Sequence, residues 1–197
     1  MRSGRLPSRL VARILIVGGG ARGRALAGEL VAAGHAVRIT TRTPAGRAAI
    51  EAVGAECWIG TPDRIATLRY ALDGVTLACW LLGTAGGPGD EVHALHSSRL
   101  RFFAQQTIDT SVRGLVYEAA GSVAADVLAA GRELVAAAAS FNAIPLVVID
   151  ADPRDLDTWL EQARVAVAAL LCADPAIPGA DEGAIDFINK PPKSDRD

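Results

Sequence analysis

Short apolar runs alternate along the chain with longer stretches rich in Ala and Leu. The short runs are apolar nearly from end to end, which is typical of strands that are covered on both faces. Turn signals containing Gly and Pro separate the runs from the longer, helical stretches. The pattern predicts strands at 13–17, 36–41, 56–59, 75–82, 114–118 and 146–149, and helices at 22–33, 45–53, 62–72, 91–107, 123–141 and 154–172.

Strand–helix alternation with right-handed crossovers predicts a parallel sheet between two layers of helices. Six strands are the full number of a doubly wound α/β sheet with three layers, the Rossmann fold, in the order 3-2-1-4-5-6. We therefore predict one such domain at 13–173. A basic N-terminal tail occupies 1–12, and an irregular C-terminal tail rich in Pro, Gly and charge occupies 174–197.

Composition narrows the class of protein further. A formal net charge of −2 and a pI of about 5.9 give no basic footprint for nucleic acid. No apolar run is long enough for a membrane span, and the basic N-terminus lacks the apolar core of a secretory signal. The three cysteines are too far apart to indicate a disulfide framework or a zinc site. These features predict a cytoplasmic protein.

A glycine-rich segment, VGGGARGRALA, stands where the first strand meets the first helix. Gly18, Gly20 and Gly23 fit G-x-G-x-x-G, with Ala21 and Arg22 between the last two. The first glycine permits the tight turn, the second lets the backbone approach a diphosphate, and the third lets helix and strand pack closely. Free N–H groups at the helix start attract the phosphates. The turn predicts a dinucleotide site; the alternative is a glycine-rich turn without a ligand.

The end of the second strand indicates which dinucleotide binds. NAD-binding proteins place an acid there for the ribose 2′-hydroxyl, whereas NADP-binding proteins accommodate a 2′-phosphate with an arginine. Here the strand ends at Thr41 and Arg42, and no acid occurs before Glu51. Arg42 can hold the 2′-phosphate through charge-assisted hydrogen bonds, and Arg22 can approach the same phosphate. NADP(H) is predicted over NAD(H); the alternative is that both arginines are only solvated.

With these motifs the chain resembles the atypical and extended short-chain dehydrogenase/reductases, the NAD(P)-dependent epimerase/dehydratase and NAD(P)H-binding relatives. The resemblance covers about residues 13–150 and includes GTPDRIATLRYALDGVTLACWLLG, GLVYEAAGS and ELVAAAASFNAIPLVVID besides the glycine segment. It implies that Thr61, with Asp63 close behind, contacts the adenine. It also implies that the end of the fourth strand lies beside the nicotinamide-side ribose, at Leu82, Gly83 and Thr84.

The same resemblance implies a catalytic set that this sequence lacks. Family enzymes carry Tyr-x-x-x-Lys on the helix after the fifth strand, with a Ser or Thr nearby, and the tyrosine acts as general acid and base. Aligned on ELV at 133–135, the tyrosine position is Ala125 and the lysine position is Ala129. The serine position falls near Glu118 or Ala119. Alanine has no proton to give, so the usual carbonyl reduction lacks its general acid.

Tyr117 and Glu118 are the remaining acid/base candidates, because they end the fifth strand at the edge where doubly wound sheets bind ligands. The alternative for Tyr117 is packing against a helix. His93 and His96 share one helix face, but no third ligand is evident, so no metal site is predicted.

Four acids follow the sixth strand and allow two interpretations. They can meet a cationic substrate or Mg²⁺, or they can cap the last helix, with Asp152 as N-cap and Pro153 as first residue. Capping is favoured. The four acids are Asp150, Asp152, Asp155 and Asp157.

Two further segments allow alternatives. The loop GTAGGPGDE after the fourth strand is either a lid over the nicotinamide or a long surface loop. An apolar stripe on the last helix indicates core packing, and a homodimer seam is the alternative. The stripe consists of Leu160, Val167, Ala168 and Leu171.

Two function classes follow from the sequence. The first is an NADP-dependent oxidoreductase with a non-standard active site that acts on a small carbonyl compound, which the intact cofactor motif and the usual activity of the resembling family favour. The second is a non-catalytic NADP(H)-binding redox sensor or regulatory partner protein, which the missing Tyr, Lys and Ser favour. The sequence names neither the substrate nor a protein partner.

Overall fold

The computed structural model describes residues 11–173, so the predicted C-terminal tail and nearly all of the N-terminal one lie outside the described residues. Six parallel strands form one sheet in the order β3-β2-β1-β4-β5-β6. This is the predicted doubly wound three-layer α/β fold, with the strand order as predicted. The strands are β1 Arg13–Val17, β2 Ala36–Thr41, β3 Glu56–Ile59, β4 Leu77–Trp80, β5 Gly114–Glu118 and β6 Leu146–Ile149.

Helices cover both faces of the sheet. Alternate residues of β1 point to opposite faces, so Ile14 and Ile16 pack in one core cluster and Leu15 and Val17 in the other. The first cluster includes residues of α1, α2 and α7, and the second includes residues of α3, α5 and α6. The helices are α1 Ala21–Ala32, α2 Arg47–Glu51, α3 Ala66–Arg69, α4 Gly89–Leu95, α5 Ser98–Thr107, α6 Ala125–Phe141 and α7 Leu156–Cys172.

Two predicted helices are broken by side-chain hydrogen bonds. The helix predicted at 62–72 becomes short 3₁₀ turns on either side of α3, and the Trp58 indole donates to the Thr67 carbonyl at 2.7 Å. The helix predicted at 91–107 becomes α4 and α5, with the break at His96 and Ser97. His96 is buried there against Tyr117. None of the described helices is long and apolar enough to cross a membrane.

The start of α7 corrects the capping prediction. The N-cap is Asp155, whose carboxylate accepts from the Thr158 backbone N–H at 3.2 Å and from the Thr158 hydroxyl at 2.7 Å. Asp152 instead forms an ion pair with Arg154 at 2.7 Å. The helix begins at Leu156, and the turn before it is closed by the Asp155 N–H, which donates to the Asp152 carbonyl at 3.0 Å.

The packed face of α7 also differs from the predicted stripe. Val167 is buried and Leu160 and Leu171 are partly buried against the core, as expected, but Ala168 is exposed. The buried side chains of α7 are Trp159, Ala163, Ala166, Val167 and Leu170. This face packs against α1 and the sheet, which is the core-packing interpretation.

Candidate functional site

A cleft of about 450 Å³ lies at the C-terminal edge of the sheet, above the ends of β1 and β4. These strands are neighbours, and the Leu81 N–H donates to the Val17 carbonyl at 2.9 Å. From β1 the chain runs outwards to β2 and β3, then crosses back to β4 on the other side of β1. Doubly wound sheets bind ligands at this reversal of strand order.

The glycine turn forms the floor of the cleft, and its three glycines differ in what surrounds them. Gly18 has φ +133°, and a Cβ there would overlap the Leu81 carbonyl oxygen. A Cβ at Gly23 would overlap the Gly18 carbonyl oxygen. A Cβ at Gly20 would meet no atom within 4 Å. Packing therefore requires glycine at the first and third positions, whereas the second borders open space where a ligand can approach.

The N-terminus of α1 opens onto this cleft as an anion site. Gly20 is the N-cap and provides no side-chain cap, and the first turn contains no acid. The first N–H groups of a helix have no intrahelical partner, and the helix dipole adds partial positive charge. The Arg24 side chain donates to the Gly19 carbonyl at 2.6 Å and braces the turn. The turn can therefore bind a phosphate through its backbone.

The end of β2 forms the next wall. Thr41 and Arg42 line the cleft, and Arg42 is exposed. The Thr41 hydroxyl donates to the Thr43 carbonyl at 3.2 Å. This wall of the cleft thus has an arginine at the position where NAD-binding proteins place an acid for the ribose 2′-hydroxyl.

On the other side of β1, a buried carboxylate joins the glycine turn to β4 and α7. Glu118 is 0% exposed and accepts hydrogen bonds from Arg22 at 2.8 Å, from the Gly83 backbone N–H at 2.7 Å and from the Trp159 indole at 2.9 Å. Arg22 also donates to the Thr84 hydroxyl at 2.9 Å. We call Arg22, Gly83, Glu118 and Trp159 the Glu118 cluster. Arg22 was predicted beside the phosphate at Arg42, but its contacts lie towards β4 and β5.

Tyr117 points to the opposite face of the sheet and is fully buried. Its hydroxyl lies 2.8 Å from His96 Nδ1 and 3.2 Å from the Leu128 carbonyl oxygen. Burial raises the pKa of Tyr117, and the neighbouring Glu118 charge adds to the rise. Burial lowers the pKa of His96, although a hydrogen bond to the Leu82 carbonyl opposes this. Tyr117 is therefore a neutral packing residue, the alternative that the sequence left open.

The wall beyond β3 is braced by ion pairing. The Thr61 hydroxyl donates to Asp63 at 2.9 Å and accepts from the Asp63 backbone N–H at 3.3 Å. Asp63 forms an ion pair with Arg99 of α5 at 2.5 Å, and Arg99 also donates to the Glu91 carbonyl at 3.0 Å. The ion pair joins the turn after β3 to α5, and both of its residues line the cleft.

The structure brings most of the predicted site residues together around the cleft. Gly83 is the exception, because its N–H is turned to Glu118 and it does not line the cleft. Ala125 and Ala129 lie on α6 and do not line it either. The predicted site residues that line the cleft are Gly18, Gly20, Ala21, Arg22, Gly23, Thr41, Arg42, Thr61, Leu82 and Thr84.

Sequence reasoning missed the cleft residues that come from distant helices. Val92 and Leu95 line the cleft from α4, Arg99 from α5 and Trp159 from α7. The segment predicted as a lid or surface loop contributes Thr84, Ala85 and Gly86 to the wall. No local motif marks Arg99 or Trp159; a tryptophan in the first turn of the last helix is the only sequence signal.

The two histidines and the acids after β6, which the sequence analysis considered as ligand candidates, contact other side chains of the protein. His96 is buried against Tyr117, and the His93 ring lies 3.3 Å from the Ser97 hydroxyl. The Asp150 carboxylate accepts from the Gln162 side chain at 2.7 Å. Within residues 11–173, no group of three or more His, Cys, Asp or Glu side chains is arranged to hold a metal ion.

Neither a protein-family model nor a curated protein matches this chain, but solved structures match its fold. UDP-glucose 4-epimerase from Thermotoga maritima with UDP-glucose is 11% identical, with TM-score 0.61 over 70% of this chain and 54% of that one. UDP-glucuronic acid 4-epimerase from Bacillus cereus in complex with NAD is 13% identical, with TM-score 0.58 over 70% and 55%. Triphenylmethane reductase from Citrobacter sp. complexed with NADP(H) is 16% identical, with TM-score 0.54 over 70% and 48%.

The chain spans about half the length of these proteins. The likeness confirms, at the level of fold, the resemblance that the sequence predicts. The chain has the doubly wound fold of these two epimerases and this reductase.

Proposed function

We propose that the protein binds NADP(H) in the cleft at the glycine turn. The observation that carries the proposal is the uncapped, acid-free N-terminus of α1, which opens onto the cleft beside Arg42 at the end of β2. Two of the solved structures with this fold are complexes with NAD or NADP(H), which supports a nicotinamide nucleotide. The arginine at the end of β2 favours the nucleotide with a 2′-phosphate.

The residues present fit this cofactor. The space at Gly20 lets a diphosphate approach the backbone. Arg22 lines the cleft with its side chain 20% exposed, so its guanidinium can donate to a phosphate there. In this proposal Arg42 binds the 2′-phosphate, Thr61 contacts the adenine, and Leu82 and Thr84 lie beside the nicotinamide-side ribose. All four residues line the cleft.

The first candidate activity is reduction of a small carbonyl compound. The cofactor, when bound, supplies the hydride. The described cleft lining contains no Tyr, Lys, His or Cys, and its carboxyl groups are Asp63, which is paired with Arg99, and Glu91. Glu91, the Thr84 hydroxyl or solvent would have to deliver the proton. The catalytic residues of such a reaction are therefore not those of the resembling family.

The second candidate is a non-catalytic NADP(H)-binding redox sensor or regulatory partner protein. The burial of Tyr117 and Glu118 favours it, because both side chains already have protein partners and neither offers a free acid or base to the cleft. A small-molecule substrate belongs only to the first candidate. A protein partner belongs only to the second.

The cofactor preference can be tested at Arg42. We expect Arg42→Asp to weaken NADPH binding about tenfold or more and NADH binding much less, because the new carboxylate repels the 2′-phosphate. Isothermal titration calorimetry with both nucleotides measures the effect. The control is Arg132→Asp, an exposed charge change on α6 outside the cleft. Equal losses for both nucleotides at Arg42 would show that it does not bind the 2′-phosphate.

The two candidate functions are separated by turnover. Consumption of NADPH by the purified protein with aldehydes, ketones or quinones contradicts the sensor. Tight NADPH binding without oxidation, together with a co-purifying partner, contradicts the enzyme.

We also propose that the protein is cytoplasmic and that it forms a homodimer. Cys57, Cys79 and Cys172 are free thiols, which supports a reducing compartment. Size-exclusion chromatography with light scattering tests the homodimer.

A further inference from the structure

The Glu118 cluster suggests a role for Arg22 that the glycine pattern does not assign. Arg22 is the second residue of α1, and its Nη2 donates to both Thr84 and Glu118. Its guanidinium also lies 5.3 Å from the centroid of the Trp159 ring. Glu118, in turn, is bonded to Trp159 and to the Gly83 N–H. The guanidinium is therefore held in one place before any ligand binds.

Part of this fixed guanidinium stays open to the cleft. Arg22 lines the cleft, and its side chain is 20% exposed. The hydrogen bonds to Thr84 and Glu118 both come from Nη2, whereas a guanidinium carries five N–H donors. Arg is suited to bind phosphate with more than one N–H at once, so a phosphate in the cleft can accept from the exposed part of the guanidinium.

The strand order determines which half of a dinucleotide Arg22 can reach. Arg42 follows β2, whereas the partners of Arg22 follow β4 and end β5, on the other side of β1. A dinucleotide crosses the sheet at this reversal, with one mononucleotide half on each side. Arg22 thus faces the half opposite to the one expected at Arg42.

We propose that Arg22 binds the phosphate of the nicotinamide mononucleotide half, not the 2′-phosphate, and that Glu118 is a positioning residue that fixes the Arg22 guanidinium. The assignment rests on the proposed NADP(H) binding. It divides the two arginines between the two halves of the cofactor, with Arg42 on the adenosine half.

Calorimetry with two ligands tests the assignment on the full chain. NADP contains both halves, whereas adenosine 2′,5′-bisphosphate keeps the adenosine half and the 2′-phosphate but has no nicotinamide mononucleotide. Arg22→Lys keeps a positive charge near Glu118 but loses the planar fork. We expect it to lower NADP affinity about tenfold while changing bisphosphate affinity less than about twofold. Arg42→Gln is the matched control and lowers both affinities.

The positioning role of Glu118 has its own variant. Glu118→Gln removes the charge that holds Arg22, so NADP affinity falls while bisphosphate affinity stays, whereas general damage to the fold would weaken both ligands. If either single variant folds poorly, Arg22→Gln combined with Glu118→Gln removes the pair together and leaves no buried charge unpaired. The double variant should show the same selective loss for NADP.

Three outcomes count against the assignment in different ways. Equal losses for the two ligands at Arg22 would place it on the adenosine half, and unchanged NADP affinity would show that it is not a ligand; each overturns the proposal. Absence of binding of both ligands to the unaltered protein would overturn the proposed function itself, and the proposal with it. That last result is seen without any variant, so the two failures are distinguishable.

Discussion

Gly131 is the residue at which α6 meets the buried Tyr117. A Cβ at this position would overlap the Tyr117 hydroxyl oxygen and would lie 3.0 Å from the His96 carbonyl oxygen. Alanine is otherwise the better helix residue by about 1 kcal/mol, so any loss of stability at this site must come from the overlap. Glycine is therefore required at this position because the helix and the strand approach each other closely here.

We expect Gly131→Ala to lower the free energy of unfolding by about 1–3 kcal/mol, as overpacking does in other cores. Tyr117→Phe removes the hydroxyl that the new methyl group would strike, so the loss should shrink when the two changes are combined. Urea denaturation of the two single variants and the double variant measures this coupling. Strictly additive losses would show that the hydroxyl is not the atom in the way.

Particular residues show how far the sequence predicts the site. The glycine turn and Arg42 are predictable because backbone geometry and one charge at a strand end carry the signal. The direction of the Arg22 side chain is not, because its partners Thr84 and Glu118 lie 62 and 96 residues further along the chain. Only the folded sheet brings these three side chains together.

At the scale of elements, strands followed the sequence better than helices did. The bounds of β1, β2, β3, β5 and β6 agree with prediction, because each is an apolar run between turn signals. The prediction of one helix at 62–72 was wrong, because the Trp58 indole donates a hydrogen bond to the Thr67 carbonyl. The prediction of one helix at 91–107 was also wrong, because the chain bends where the buried His96 contacts Tyr117. Such tertiary hydrogen bonds override local helical preference and leave no periodic trace in the sequence.

Buried His96 at the α4–α5 break should make stability depend on pH. Burial lowers the pKa of His96 in the folded protein, while in the unfolded chain it is about 6.5. The unfolded chain therefore binds a proton first, and the free energy of unfolding falls as the pH drops below about 6.5. The His96→Gln variant has no imidazole at this position, so it should lack this contribution to the pH dependence of the free energy of unfolding.

Urea denaturation at pH 7.5 and pH 5.5 compares the two proteins. The unaltered protein should lose more stability between these values than His96→Gln does. His93→Gln is the control. His93 is exposed on α4, and its charge makes only the smallest contribution to the lowered pKa of His96, so this variant should keep most of the pH dependence of the unaltered protein. Equal pH dependence in the unaltered protein and His96→Gln would contradict a depressed pKa at His96.

The N-terminus of α7 provides a second prediction at this scale. Asp155→Ala removes the N-cap bonds to Thr158 and should lower the Tm. Asp152→Ala removes only an exposed ion pair with Arg154 and should leave the Tm nearly unchanged. Thermal denaturation of both variants separates the two roles. A larger loss at Asp152 would restore the cap that the sequence suggested.

For the whole molecule, the strand order was predictable because the number and alternation of elements leave few topologies. The walls of the cleft were not, because α4, α5 and α7 meet the glycine turn only after the sheet has formed. Arg99 illustrates this, since its partner Asp63 belongs to the loop after β3. The binding site is thus a property of the fold, assembled around a motif that is local.

Ligand binding at such a site should stabilise the entire domain. With NADPH at about 100 times its Kd, mass action adds about 2.7 kcal/mol, which corresponds to a rise in Tm of about 5–10 °C for a chain of this size. Gly20→Val tests whether the ligand passes over the glycine turn. Gly20 has φ −66°, which valine can adopt, and a Cβ there would meet open space. The ligand-free variant should therefore keep its stability within about 1 kcal/mol.

The valine side chain would occupy the approach of the diphosphate, so the rise in Tm with NADPH should disappear in Gly20→Val. Gly23→Ala is the contrasting variant, because its Cβ would strike the Gly18 carbonyl and lower the Tm without any ligand. Differential scanning fluorimetry of the three proteins, with and without NADPH, compares the two effects. A ligand-induced rise that survives in Gly20→Val would place the nucleotide away from the N-terminus of α1, since an intact fold with an intact ligand response leaves no role for the open space at that glycine.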